Sequence, residues 1–177
     1  MQRRFATVLA LSLTAFTAFA QNDAAAKKPA SPPAKTELTI AGKNISIDYA
    51  APSKRGRKIM GGLVPYGEVW RTGANAATTL KTDGALRIGN LNVPAGTYTL
   101  YTIPTAKNWT LIVSRQTGQW GSSYDEKQDL GRVPMTVRAT SKPVETFAIA
   151  LTRAAAKKAN LTLSWENVAA SVPITVE

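Results

Sequence analysis

The sequence predicts an all-β protein: a single antiparallel β-sandwich, jelly-roll-like or a partly closed barrel, with roughly nine to ten short strands. Two observations lead to this prediction. Apolar and polar residues alternate with a period of two in segments from Leu38 to Val176, as they do in strands with one buried face. Turn residues separate these segments about every 8–12 residues. The helix-forming run 154–159 is too short and lacks an apolar face, so only a turn is expected there.

The strands are expected in chain order wherever alternation is bounded by turn residues. Segments 38–40 and 45–49 flank an Ala-Gly-Lys-Asn turn, which is typical of a hairpin. A second hairpin is predicted around Asp83-Gly84, because Asp-Gly suits a left-handed two-residue turn. Trp109 and Trp165 alternate with polar neighbours and are assigned to the core. The remaining predicted strands are 78–82, 85–88, 91–93, 97–103, 109–114, 133–138, 146–151, 161–165 and 172–176.

The N-terminal part predicts export. Residues 1–20 are expected to be a signal peptide, because Arg3 and Arg4 precede an apolar run that ends in Ala18-Phe19-Ala20, a suitable cleavage site. The run is too short to be a membrane anchor, and no transmembrane segment is expected in the mature protein. Residues 21–36, rich in Ala, Lys and Pro, are expected to be a disordered linker before a single domain at 37–177. The protein is therefore expected in the periplasm or outside the cell.

Composition narrows the chemistry. The chain has 22 Lys and Arg against 11 Asp and Glu, a formal net charge of +11. In an exported protein this charge favours anionic envelope polymers, acidic proteins or anionic metabolites as partners over nucleic acid, although it could serve solubility alone.

There is no histidine and no cysteine. Zinc, copper, haem and iron–sulfur sites lack their usual ligands, so no metal and no cofactor is expected. Histidine-based triads and cysteine nucleophiles are likewise excluded.

The segment 61–75 is the best candidate for a binding site, because it combines glycines, aromatic residues, an acid, an arginine and an asparagine in a stretch too irregular for helix or strand. In the functional interpretation Arg71 binds an anion or a sugar hydroxyl, Trp70 offers a flat apolar face and Asn75 orients the ligand. In the structural interpretation Trp70 lies in the core, Arg71 pairs with an acid such as Glu68 and Asn75 holds a turn. The candidate ligand-binding residues are Tyr66, Glu68, Trp70, Arg71, Asn75 and Trp120.

Two further segments are weaker candidates. The basic loop 53–58 could bind an anionic polymer by charge, or could simply be solvated. Trp120 lies in the long loop 116–125 and could stack on a sugar ring or fold back over the sandwich. The anion-binding candidates in the basic loop are Lys54, Arg55, Arg57 and Lys58.

Carboxylate chemistry is a third option. A glycoside hydrolase needs two acids about 5–10 Å apart across a cleft. The only pairing considered is Glu68 with Asp125, Glu126 or Asp129. No catalytic residue is assigned on this basis.

Three stretches carry a family resemblance. They are Gly56–Asn75, Pro94–Leu100 and Gln119-Trp120-Gly121, of which Val69-Trp70-Arg71-Thr72-Gly73-Ala74-Asn75 is the most specific. The chain resembles the bacterial domain-of-unknown-function family 2911, from about Ile45 to the strand at 161–165. The resemblance implies an exported β-rich protein and supplies no activity.

The leading functional hypothesis is a periplasmic binding module for a small polar or anionic ligand, such as a glycan fragment. The first alternative is an envelope interaction or structural protein that binds an anionic polymer or a protein partner through the basic loop. The second alternative is a carboxylate-dependent hydrolase.

Overall fold

A computed structural model describes residues 29–177, and residues 1–28 lie outside the described part. The expected signal peptide and the first part of the expected linker fall in that outer segment. The described residues form nine strands and one short 3₁₀ helix at Glu126–Gln128. The strands are β1 Pro33–Ile40, β2 Lys43–Ala50, β3 Thr79–Thr82, β4 Leu86–Ile88, β5 Leu91–Val93, β6 Gly96–Pro104, β7 Trp109–Ser114, β8 Asp129–Arg153 and β9 Lys158–Val176.

The nine strands form one sheet in the order β1-β2-β3-β6-β7-β8-β9-β4-β5, and every pair is antiparallel. The sheet is not closed into a barrel. The β1–β2 hairpin lies against the C-terminal half of β8, where Thr36 Oγ1 accepts a hydrogen bond from Leu151 N at 3.2 Å and Tyr49 Oη accepts one from Ile149 N at 3.1 Å. The predicted all-β, sandwich-like antiparallel fold is confirmed.

Long strands replace some of the short ones that were predicted. The predicted strands 133–138 and 146–151 are parts of β8, which has 25 residues, and 161–165 and 172–176 are parts of β9, which has 19. The pairing of β8 with β9 shifts register on both sides of Val144. Such bulges let a strand bend and continue, and they tolerate Pro143, which lacks an N–H for the ladder.

The hairpin predicted at Asp83-Gly84 is wrong. β3 pairs with β2 and β6, whereas β4 pairs with β5 and β9. Neither Asp83 nor Gly84 has the positive φ that a tight Asp-Gly hairpin turn requires. Asp83 instead binds the first hairpin, because its Oδ1 accepts a hydrogen bond from Asn44 N at 2.8 Å. The segment is therefore a crossing between distant parts of the sheet.

The expected linker also ends earlier than predicted. β1 begins at Pro33, so residues 33–36 are paired with 47–50 of β2 and are not part of a disordered segment. Backbone hydrogen bonds to β2 order these small residues without requiring large apolar side chains.

The core joins both halves of the sheet. It contains Ile45, Leu100, Leu111 and Leu163, each almost fully buried. Trp109 and Trp165 are 2% exposed, which confirms their assignment to the core.

Residues 154–157 form the expected turn between β8 and β9. No helix within 29–177 has the length and apolar character needed to cross a membrane.

Candidate functional site

The long connection between β2 and β3 carries the family-like segment and is hydrogen-bonded to the sheet in its C-terminal half. Trp70 exchanges two backbone hydrogen bonds with Thr102 of β6, at 2.7 and 3.0 Å. Ala74 N donates to Ala50 O at the end of β2, at 3.2 Å. The connection therefore has little regular structure of its own but a defined position against β2 and β6.

A third attachment comes from β9. Glu166 has a φ of 55°, and its carboxylate accepts hydrogen bonds from Ile59 N at 3.3 Å and Met60 N at 3.1 Å. The side chain is 15% exposed, and Lys54 Nζ lies 3.9 Å away. A carboxylate that accepts two backbone N–H groups holds the start of the segment 59–63 in place.

Trp70 has both a packing role and a place in a cavity wall. Its ring stacks on Trp165 at a centroid distance of 5.8 Å and makes edge contacts with Trp109 at 6.2 Å and Phe147 at 5.0 Å. Trp70 is nevertheless only half-buried. The structural interpretation of Trp70 as a core residue therefore holds for part of its ring, and the rest of the side chain faces the cavity described next.

A cavity of about 440 Å³ brings two separately predicted segments together. Arg55 and Arg57 of the basic loop line it together with Trp70 and Arg71 of the family-like segment. None of its lining residues within 29–177 is acidic. The described lining therefore contains three positively charged side chains and no carboxylate; Glu145, outside the lining, accepts a hydrogen bond from Arg55 N at 2.7 Å.

The hydrogen bonds of the three guanidinium groups go to neutral backbone carbonyls. Arg55 Nη2 donates to Ala30 O at 2.7 Å, and Arg57 donates through Nη2 to Ser53 O at 2.7 Å and through Nε to Lys54 O at 3.0 Å. Arg71 makes one long hydrogen bond, from Nε to Gly73 O at 3.3 Å. None of the three forms an ion pair with another residue of the described part. The expected pairing of Arg71 with Glu68 does not occur.

Close packing fixes the stem of Arg71. A Cβ atom at position 121 would lie 2.9 Å from Arg71 Cδ and 2.7 Å from Asn75 O, so Gly121 leaves room that any other residue would fill. Gly121 N also donates to Asn75 O at 3.0 Å. The Gln119-Trp120-Gly121 stretch therefore positions the arginine through its glycine.

Two tyrosines that the sequence did not single out also line the cavity. Tyr101 and Tyr124 contact edge to face at 4.9 Å. Tyr101 Oη donates to Ser123 O at 3.1 Å, and Tyr124 Oη donates to Asp129 Oδ2 at 2.8 Å. Burial raises the pKa of both; in Tyr124, burial and the hydrogen bond to Asp129 raise the pKa to about 12. Both phenols are therefore protonated, uncharged wall groups at neutral pH.

The position of Tyr101 in the alternating pattern of β6 could have identified it as a candidate site residue. It is out of phase with Tyr98 and Leu100, whose side chains belong to the core, and would be expected on the outer face of β6. It is 1% exposed because the loop 115–125 covers that face. An aromatic residue at an outward position was the available signal.

Six of the predicted site residues do not line this cavity: Tyr66, Glu68, Asn75, Trp120, Lys54 and Lys58. Tyr66 and Trp120 are 45% and 57% exposed. Asn75 has a φ of 60°, as expected for the residue of a turn.

None of the acids considered for catalysis lines the cavity, and Asp125, Glu126 and Asp129 take part in other contacts. Arg132 pairs with Glu126 at 2.7 Å and Asp129 at 2.9 Å. Glu68 is exposed. Within residues 29–177 no three acidic side chains cluster as a metal site would require. The described lining offers guanidinium donors and positive charge, the chemistry that suits an anion, and contains no carboxylate.

Comparison with known proteins gives a family and no activity. The model of a family described as "Protein of unknown function (DUF2911)" matches residues 31–174. Neither the curated proteins nor the solved structures contain a match to the chain. The matched range covers the whole connection between β2 and β3 and all but the last residues of the sheet. The resemblance noted in the sequence is therefore confirmed, and the chain belongs to the DUF2911 family.

Proposed function

We propose that this protein is an exported binding module that takes a small anionic ligand into the cavity beside Arg71. The observation behind the proposal is that Arg55, Arg57 and Arg71 line one cavity of about 440 Å³ with no acidic residue among its described lining. That volume lies within the range of about 300–1,000 Å³ that is usual for small-molecule sites. The proposal that the protein is exported rests on the signal peptide predicted from the sequence at residues 1–20.

The arginine side chains suit this role. A guanidinium group presents paired donors that match the oxygens of a carboxylate or phosphate. Of the three guanidinium nitrogens of Arg71, only Nε has a hydrogen-bond partner among the described residues. Its two Nη groups are therefore the donors proposed to bind the anion. The surrounding aromatic and aliphatic wall excludes part of the solvent and strengthens the attraction between unlike charges. Inorganic phosphate, sugar phosphates, organic acids and acidic glycan fragments are the ligand classes that this chemistry fits.

The two alternatives draw less support from the same geometry. Arg55, Arg57 and Lys58 are exposed and within reach of a polymer, but Arg55 and Arg57 also line the cavity beside Arg71, which a basic patch on the loop alone does not explain. A carboxylate-dependent hydrolase would need an acid beside the bound ligand, and the described lining has none.

A thermal-shift screen of the purified protein against these anions tests the proposal. A ligand at 100 times its dissociation constant stabilises the folded state by about 2.7 kcal/mol, which is a rise in Tm of about 5–10 °C for a domain of this size. We expect Arg71→Met to keep the apolar stem and weaken binding at least tenfold, since a hydrogen bond to a charged group contributes about 1.5–3 kcal/mol.

Arg87→Met is the matched control. It removes one positive charge from β4, where Arg87 pairs with the exposed Glu177 and lies outside the described cavity lining. Binding should be unchanged in this variant. Equal weakening by Arg71→Met and Arg87→Met would mean that net charge attracts the anion and would contradict a specific site.

A further inference from the structure

The mouth of the arginine cavity carries exposed apolar side chains. Leu63 is 49% exposed and Val69 is 38% exposed, and both line the cavity. In the described part of the chain only four large apolar residues are this exposed, and three of them, Leu63, Tyr66 and Val69, lie in the family-like segment. Exposed apolar groups concentrated around a concave site are typical of a binding surface.

The apolar surface continues inward from the mouth. Trp70 and Trp165 form part of the same lining, and Val64, which is 1% exposed, adjoins them. Trp165 stacks on Trp70, so one face of the Trp70 ring is already covered and is not available to stack on a ligand. The hydroxyl groups of a sugar placed against Leu63 and Val69 would find no hydrogen-bond partner on those side chains, and their desolvation would cost free energy.

We propose that the ligand is an amphiphilic organic anion, with a phosphate or carboxylate group joined to an apolar ring or chain. The charged group binds Arg71 with Arg55 or Arg57, and the apolar part covers Leu63 and Val69. This inference rests on the proposed function and specifies its ligand class. It replaces the glycan fragment as the expected ligand, because covering exposed apolar surface stabilises the complex only when the ligand brings apolar surface of its own.

Titration calorimetry with three phosphates that share one charged group tests the inference: inorganic phosphate, glucose 6-phosphate and phenyl phosphate. We expect phenyl phosphate to bind at least tenfold more tightly than the other two, which corresponds to about 1.4 kcal/mol. Its binding should also show the more negative heat-capacity change that accompanies burial of apolar surface.

Two variants of the same loop locate the apolar contact. Leu63→Ser should reduce the advantage of phenyl phosphate several-fold and leave inorganic phosphate unaffected. Tyr66→Ser is the matched control, because Tyr66 is 45% exposed on the same loop but does not line the cavity. A Leu63→Ser variant that keeps the full advantage would overturn the inference.

The outcomes separate this inference from the proposed function. Equal affinity for the three phosphates would overturn the amphiphilic ligand and retain the anion site. No binding by any of them, together with no stabilisation by any anion of the thermal-shift screen, would overturn both. Sedimentation with phosphatidylglycerol vesicles identifies the source of the ligand. Sedimentation that Leu63→Ser abolishes would assign the amphiphile to a lipid surface, and tight phenyl phosphate binding without sedimentation would assign it to solution.

Discussion

Glu166→Ala removes the carboxylate that attaches the segment 59–63 to β9. The carboxylate accepts hydrogen bonds from the backbone N–H groups of Ile59 and Met60, both of which are buried residues. These two residues immediately precede the turn that presents Leu63 at the cavity mouth. The side chain of Glu166 therefore connects β9 to the candidate site.

The expected loss follows from the two donors that remain. A buried donor that loses its partner costs about 1–3 kcal/mol, so the loss of the acceptor for two donors in Glu166→Ala should lower the free energy of unfolding by about 2–6 kcal/mol. Lys54 contributes little to this figure, because its Nζ is 3.9 Å away and partly exposed. Glu166→Gln keeps one side-chain oxygen as an acceptor and should lose about half as much.

Urea denaturation measures the free energy of unfolding, and native-state hydrogen exchange measures protection of the Ile59 and Met60 amides. Both amides should exchange much faster in Glu166→Ala. Glu68→Ala is the control, since Glu68 is exposed and forms no hydrogen bond within the described residues; it should change stability by less than about 0.5 kcal/mol. A loss below that level in Glu166→Ala, with unchanged protection of the two amides, would refute the reasoning.

Two other predictions concern the sheet and the tyrosine at the cavity. Thr36→Val removes the acceptor of Leu151 N at nearly constant volume and should cost about 1–3 kcal/mol in urea denaturation, whereas Thr39→Val, at an exposed position on β1, should cost almost nothing. The pKa of Tyr124 is raised from 10.0 to about 12, so its contribution to stability is fully present below pH 10 and is lost as the pH rises toward 12. Subtracting the tyrosinate absorbance titration of Tyr124→Phe from that of the unmodified protein should leave one step near pH 12. A difference step near pH 10 would contradict the buried hydrogen bond to Asp129.

Local alternation was sufficient to predict the class of fold and most of the strands, because a half-buried strand leaves a period-two pattern wherever it pairs. Pairing itself depends on distant residues. Asp-Gly is a hairpin signal only if its backbone adopts positive φ, and here Asp83 hydrogen-bonds to Asn44 instead. The continuity of β8 past Pro143 and the paired residues from Pro33 onward likewise depend on partner strands that local composition does not reveal.

The candidate site was predictable in parts. The sequence singled out Trp70 and Arg71 through one motif and Arg55 and Arg57 through another, but nothing in either motif shows that both line one cavity. Tyr101 was overlooked because a tyrosine within a strand is ordinarily part of the sheet surface or core. That no acid lines the cavity beside Arg71 within residues 29–177 follows from the fold and could not be inferred from acids scattered along the sequence.

The most direct test of the central claim is a crystal structure of the protein with para-bromophenyl phosphate, located by the anomalous signal of bromine. We predict the phosphate within hydrogen-bond distance of Arg71 and of Arg55 or Arg57, with the bromine beside Leu63 or Val69. A phosphate bound only to exposed lysines such as Lys58, or no ordered ligand at concentrations that saturate binding in solution, would contradict an anion site in this cavity.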